Sequence, residues 1–146
     1  PSVLLRRLED LLPKERFPVL FPDGIVTLYG EGYGKGIQKA GEFYLKDKVD
    51  FILFDVRIGD LFLERPNVED IAIKLGLKVV PIIGEGTLFD AVELVKRGFT
   101  STFGAFAAEG LVMRPLTDLL TRRGDRVIAK VKHKDFTAGI MRFSHE

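Results

Sequence analysis

The chain contains no cysteine. Disulfides, thiolate metal sites and cysteine nucleophiles are therefore excluded. Their absence fits a reducing compartment, and the cytoplasm is the expected location. No apolar run approaches the roughly 20 residues that a membrane-spanning helix needs. Neither sign of charge is in excess, with 22 basic against 21 acidic residues. No global field marks the molecule as a nucleic-acid binder, and any basic surface has to be local. The N-terminus begins Pro-Ser-Val, with no initiator methionine and no signal pattern, which reads as the start of a fragment or a processed chain. There is no internal repeat and no low-complexity linker. What is present is 146 residues, a length suited to one domain, with 46% hydrophobic content, enough to build a real core.

The pattern along the chain predicts α+β architecture. Ser2 caps a helix whose leucines recur at helical spacing until Pro13 stops it. Phe17 to Gly24 carries Pro18 and Pro22 and ends in an Asp23-Gly24 turn. Ile25 to Tyr29 reads as a strand and Gly30 to Gly36 as a loop. Val49 to Ile58 and Leu61 to Glu64 form a hairpin over Gly59-Asp60. Asn67 opens a helix that ends at Leu75, with Gly76 as its stop signal. Leu77 to Ile83 reads as a short buried strand. Thr87, with Asp90 three residues on, opens another helix, and Gly98 follows its end. Phe99 to Ala107 is expected as a loop. Leu111 to Arg114 and Arg126 to Lys132 complete the strands. Strands that pair locally, with two helices inserted, imply mostly antiparallel sheet.

Five side chains invite a chemical reading. Along Arg126 to Lys132 the residues alternate, so Lys130 and Lys132 share a face about 6.6 Å apart. Two ammonium groups at that spacing can bracket a phosphate; taken alone, they read first as a solvated strand face with Val127, Ala129 and Val131 inward. Glu31, between Gly30 and Gly32, can accept hydrogen bonds from a ribose hydroxyl, or sit in a polar hairpin loop. Phe54 alternates with Leu53 and Asp55, on the side of Ile52 and Val56. A phenylalanine there is ordinarily core, but at a cleft wall it can stack on a purine for about 1–3 kcal/mol. Glu109, ahead of Gly110 and an apolar strand, can bind Mg²⁺, hold a neighbouring lysine, or stand at the surface. Arg122, Arg123 and Lys134 form a local basic cluster that can meet a nucleic-acid backbone. His133 and His145 have neither triad nor metal spacing. Gly34-Lys35 is not a Walker phosphate loop, because Tyr29 and Gly36 occupy positions that need Gly and Ser or Thr. No helix pattern follows the glycines, which argues against a dinucleotide fold.

Taken in order, Tyr29-Gly30-Glu31 with Gly34-x-Gly36-Ile37-Gln38, Phe51-Ile-Leu-Phe54-Asp55, Ala108-Glu109-Gly110-Leu-Val-Met-Arg114-Pro115 and Arg126-Val-Ile-Ala-Lys130-Val-Lys132 form a set. The set resembles the motifs of the covalent nucleotidyltransferases, most closely the RNA ligase 2 type of phage RNA ligase. The likeness runs from about Ile25 to Phe136. It implies a partial adenylation domain that uses ATP and Mg²⁺ to seal RNA 5′-phosphate and 3′-hydroxyl ends through lysyl-AMP and RNA-adenylate intermediates, as in RNA repair. In that scheme Glu31 holds the ribose, Phe54 stacks on adenine, Glu109 serves metal and phosphate chemistry, and Lys130 and Lys132 bind phosphates. A phage source, and so the host cytoplasm, follows from the resemblance alone. The family's nucleophile lies in Lys-x-Asp-Gly, and this sequence has none: two residues before Asp23-Gly24 stands Phe21. The chain is therefore expected to lack an N-terminal segment, which becomes a necessary partner, and to be unable to adenylate itself. The alternatives are a DNA ligase, an mRNA-capping guanylyltransferase, or a non-catalytic nucleotide- or RNA-binding module.

Overall fold

The computed structural model describes residues 2–22, 24–37, 45 and 47–137, in two units, Pro1–Ile82 and Ile83–Glu146. Asp23, Gln38 and His145 lie outside the described residues. Among the described residues the architecture is α+β with largely antiparallel sheets.

In the first unit, helix α1 (Ser2–Leu11) packs Leu8 and Leu11 on the core, as does Leu12 just after it, while Leu5 is exposed. The proline-bearing stretch, for which the sequence offers no helix signal, contains the end of a short helix, α2 (Arg16–Leu20). Pro18 falls in its first turn, where the missing N–H has no helical partner to lose. Strand β1 (Val26–Gly34) pairs antiparallel with β2 (Val49–Ile58) along its whole length. The expected loop from Gly30 is thus strand as far as Gly34. The opposite edge of β2 carries β3 (Leu61–Phe62), closing the predicted hairpin at one end, and β4 (Lys78–Val79), parallel, at the other. Helix α3 (Arg65–Leu75) starts two residues before Asn67, with Glu64 at its N-cap and Pro66 in its first turn. Gly76 ends it at φ +71°, a left-handed conformation that other residues rarely adopt. The buried strand expected over Leu77 to Ile83 is only two residues long. The Val80 N–H bonds the Leu53 carbonyl, and beyond it Ile82 and Ile83 are exposed.

One irregularity decides which side chains the sheet offers to solvent. Tyr29 pairs with Asp55 but Gly30 pairs with Leu53, so Phe54 is an extra residue in β2, a β-bulge. The side-chain alternation inverts there. Phe51 and Leu53 before the bulge, and Val56 after it, join Val68, Ile71, Ala72 and Leu75 of α3 in a single core. The sequence reading placed Val56 beside Phe54; Val56 is fully buried in that core, whereas Phe54 is 36% exposed. The helical residues recur at i, i+3, i+4 and i+7, the stripe a helix buries against a sheet. Fully burying Leu53, Val56, Val68 and Leu75 contributes roughly 1.5–3 kcal/mol each.

In the second unit, helix α4 (Leu88–Arg97) opens with the predicted capping box: the Thr87 hydroxyl accepts from the Asp90 N–H, and the Asp90 carboxylate accepts from the Thr87 N–H. The Thr87 hydroxyl also donates to that carboxylate, and this bond, with the one from the Thr87 N–H, holds the Asp90 carboxyl below the usual carboxylate range. Strands β5 (Gly110–Met113) and β6 (Ala129–Lys132) pair antiparallel, and helix α5 (Lys134–Thr137) follows. β6 starts at Ala129 instead of Arg126, and Val127, expected to face inward, is 43% exposed. The connection is pinned by a Leu120–Arg126 bridge and by the Thr121 hydroxyl, which accepts from the Arg123 and Asp125 N–H groups.

Candidate functional site

In the first unit the bulge gives the sheet a face of distinct chemistry. On β1 the side away from the core carries Tyr29, Glu31 and Tyr33; on β2 it carries Asp50, Ile52, Phe54, Asp55 and Arg57. The structure brings Glu31 and Phe54 together on this face. Glu31 is exposed and pairs with Ile52, two residues before Phe54. Without the bulge, Asp55 and Arg57 would fall on the core side.

The glycines on either side of Glu31 answer to the protein's own packing. A Cβ at Gly30 would overlap the Phe51 ring and the Ile52 carbonyl, and one at Gly32 would overlap the Leu4 side chain. Glycine at both positions lets β1 lie flat against its own core, and the alternation then turns Glu31 outward.

A second cluster on this face went unread in the sequence. The Lys78 ammonium donates to Asp50 Oδ2 at 3.0 Å and to the Tyr33 hydroxyl at 3.2 Å; that hydroxyl donates to Asp50 Oδ2 at 3.3 Å, and Arg7 lies 3.5 Å from Oδ1. Burial pushes the Asp50 carboxyl up, but the hydrogen bonds from Lys78 and the Phe51 backbone, with the charges of Lys78 and Arg7, outweigh it and hold the group below the usual range. The hydrogen bonds to Asp50 and Tyr33 raise Lys78. Strand alternation along β2 links Asp50 with Phe54, but Tyr33 falls in the stretch expected as a loop. Nothing in the sequence signals the parallel pairing that adds Lys78. Further along, the Arg57 guanidinium stands 5.9 Å from the Phe62 ring centroid, and Phe62 lies 5.5 Å from Tyr29. The buried Arg57 Nε has no hydrogen-bond partner among the described residues.

In the second unit Lys130 and Lys132 share one side of β6, opposite Val112 and Gly110. Lys130 is exposed and Lys132 half-buried. A Cβ at Gly110 would strike the Val131 carbonyl and come within 2.8 Å of Lys132 Cα. The glycine after Glu109 is thus what lets β5 approach the lysine strand. Glu109 itself is exposed and its carbonyl accepts from the His133 N–H. No ion pair joins its carboxylate to either lysine among the described residues, so the expectation that it holds a neighbouring lysine is not met. His133 Nδ1 lies 2.8 Å from the Val95 carbonyl oxygen, which ties the end of β6 to α4 and makes the histidine structural, as expected.

The RNA ligase family profile matches residues 4–132. The chain belongs to the RNA ligase family. No curated protein matches it. The match spans both units and covers every one of the five residues singled out in the sequence. Among the described residues no three His, Cys, Asp or Glu side chains gather as a metal cluster, and no helix is long and apolar enough to cross a membrane.

Proposed function

We propose that this RNA ligase family chain supplies the nucleotide-handling residues of an ATP-dependent enzyme that seals RNA 5′-phosphate to 3′-hydroxyl ends. The observation that carries the reading is the bulged β1–β2 face, which presents an open aromatic ring and an open carboxylate side by side. Phe54 takes the adenine, with about 1–3 kcal/mol from stacking, and Glu31 accepts from the ribose. Lys130 and Lys132 neutralise phosphate charge. Phosphoryl transfer depends mostly on alignment and charge stabilisation, which such groups provide.

The overall chemistry balances in three steps. A lysine amine attacks the α-phosphate of ATP and pyrophosphate leaves. A 5′-phosphate oxygen of RNA attacks the lysyl-AMP phosphorus and the lysine departs. The 3′-hydroxyl then attacks that 5′-phosphate and AMP leaves. The first lysine is not in this sequence, which lacks Lys-x-Asp-Gly. The chain alone therefore does not adenylate itself, and its partners are RNA ends and a segment bearing that motif. Glu109 suits Mg²⁺, which takes one or two protein carboxylates and completes its shell with water and substrate phosphates; bound there, the ion would neutralise phosphate charge.

The test has two arms. Incubated with labelled ATP and Mg²⁺, this chain should carry no covalent AMP; a stable protein–AMP bond would overturn the missing-nucleophile reading. The full gene product, given nicked RNA and nicked DNA, should seal RNA with ATP. DNA-only sealing would make it a DNA ligase, covalent labelling by GTP a capping enzyme, and neither reaction a binding module.

A further inference from the structure

We propose that Lys78 is a further specificity-determining residue of the nucleoside face, donating a hydrogen bond to the ribose diol that Glu31 holds from the other side. The inference rests on the nucleotide reading of Glu31 and Phe54. Its basis is a row across the sheet. Glu31 pairs with Ile52, and Ile52 pairs with Lys78. Paired residues point to the same side, so carboxylate, apolar floor and ammonium stand in line. Two strand spacings separate the outer Cα atoms, about 9.6 Å. A sugar ring can span two long side chains at that separation, over the covered Ile52, which is 6% exposed. Phe54 lies one step along β2 on the same side, where the attached base would lie.

The chemistry of Lys78 narrows what it takes. An ammonium has three N–H groups. One is held by Asp50 Oδ2 at 3.0 Å and one by the Tyr33 hydroxyl at 3.2 Å, which aims the side chain. The third has no partner among the described residues, and the side chain is 63% exposed and therefore reachable. The two bonds fix the direction of the ammonium, which suits it to a hydroxyl held at a set position on the same face. Glu31 can only accept and Lys78 can only donate. Each hydroxyl can donate to Glu31 or accept from Lys78, but the two groups stand on opposite sides of Ile52, so a vicinal diol gives one hydroxyl to each whereas a deoxyribose leaves one of them unmet. Tyr33 and Asp50 are positioning residues that hold the ammonium in place.

The test is calorimetric titration of the whole chain, wild type and Lys78→Met, with AMP, 2′-deoxy-AMP and 3′-deoxy-AMP, and thermal unfolding of both proteins. The wild type should prefer AMP to both analogues. In Lys78→Met, AMP affinity should fall several-fold, and the preference over at least one analogue should shrink threefold or more. Equal weakening for all three ligands, or none, would show that Lys78 is structural and overturn the proposal. Lys78→Gln keeps an amide donor and serves if the methionine variant unfolds; it should shrink the preference over at least one analogue while retaining part of it, and a preference unchanged from the wild type would overturn the proposal. If the wild type binds none of the three, the Glu31–Phe54 reading itself fails and this inference falls with it.

Discussion

Gly110→Ala isolates the physical reason for the Glu-Gly pair. The added Cβ would stand 2.8 Å from Lys132 Cα and 2.9 Å from the Val131 carbonyl carbon, with deeper overlap on that carbonyl oxygen. Carbon atoms rest at about 3.5–4.0 Å, so β5 and β6 must part by roughly 0.7 Å or more. The obstructing atoms are backbone, which cannot swing aside as a side-chain tip can. Overpacking of this kind costs about 1–3 kcal/mol, and the strand that moves is the one carrying both lysines. Urea unfolding should show the loss. Hydrogen exchange should locate it, with faster exchange at the His133 N–H, which bonds the Glu109 carbonyl. Gly84→Ala is the control, since a Cβ there meets nothing within 4 Å and no left-handed backbone is required; it should be neutral or slightly stabilising. A Gly110→Ala protein that matches the wild type in urea midpoint and in exchange would refute the close-approach argument.

Further outcomes follow from other parts of the fold. Leu53→Ala empties the fully buried centre of the first unit's core and should cost about 2–5 kcal/mol by chemical denaturation. Thr87→Ala removes the capping box and should destabilise α4 by about 0.5–2 kcal/mol, read as faster exchange of its first amide groups. Asp50→Asn should flatten the pH dependence of melting at both ends. Asp50 is held below its ordinary value, so its contribution is present above about pH 3.9 and fades as acid protonates it. Lys78 is raised, so its contribution is present below about pH 10.4 and fades in stronger base. With Lys78 largely exposed the pair contributes only about 0.2–1 kcal/mol; an unchanged acid limb in the variant would contradict the assignment. Lys132→Ala should weaken inorganic pyrophosphate binding about tenfold, since a charged hydrogen bond contributes about 1.5–3 kcal/mol.

The parts of the fold that were legible are those governed by local rules. The Thr87–Asp90 cap, the Gly76 stop and the turn at Gly59-Asp60 each follow from a few neighbouring residues. The bulge at Phe54 was not legible, because an inserted residue shows itself only through pairing with another strand; Val56 was misassigned for that reason. The glycines around Glu31 were read as a loop since glycine weakens a strand interior, but here packing against Phe51 and Leu4 selects them. Leu77 to Ile83 looked buried from composition, yet only Lys78 and Val79 find a strand to pair with. Of the candidate site, the ordered motifs located Glu31, Phe54, Glu109, Lys130 and Lys132. Lys78 lay beyond reach, since its membership depends on a parallel contact between distant segments.

The central claim is that Glu31 and Phe54 form one nucleoside-binding face. AMP titrated into the wild type, Glu31→Gln, Phe54→Ala and the double variant tests it most directly. The account predicts binding to the wild type, a loss of about 1–3 kcal/mol for Phe54→Ala, a clear loss for Glu31→Gln, and near-wild-type folding in each variant, since both side chains are exposed. AMP affinity indifferent to both substitutions, or no AMP binding by the wild-type chain, would contradict it.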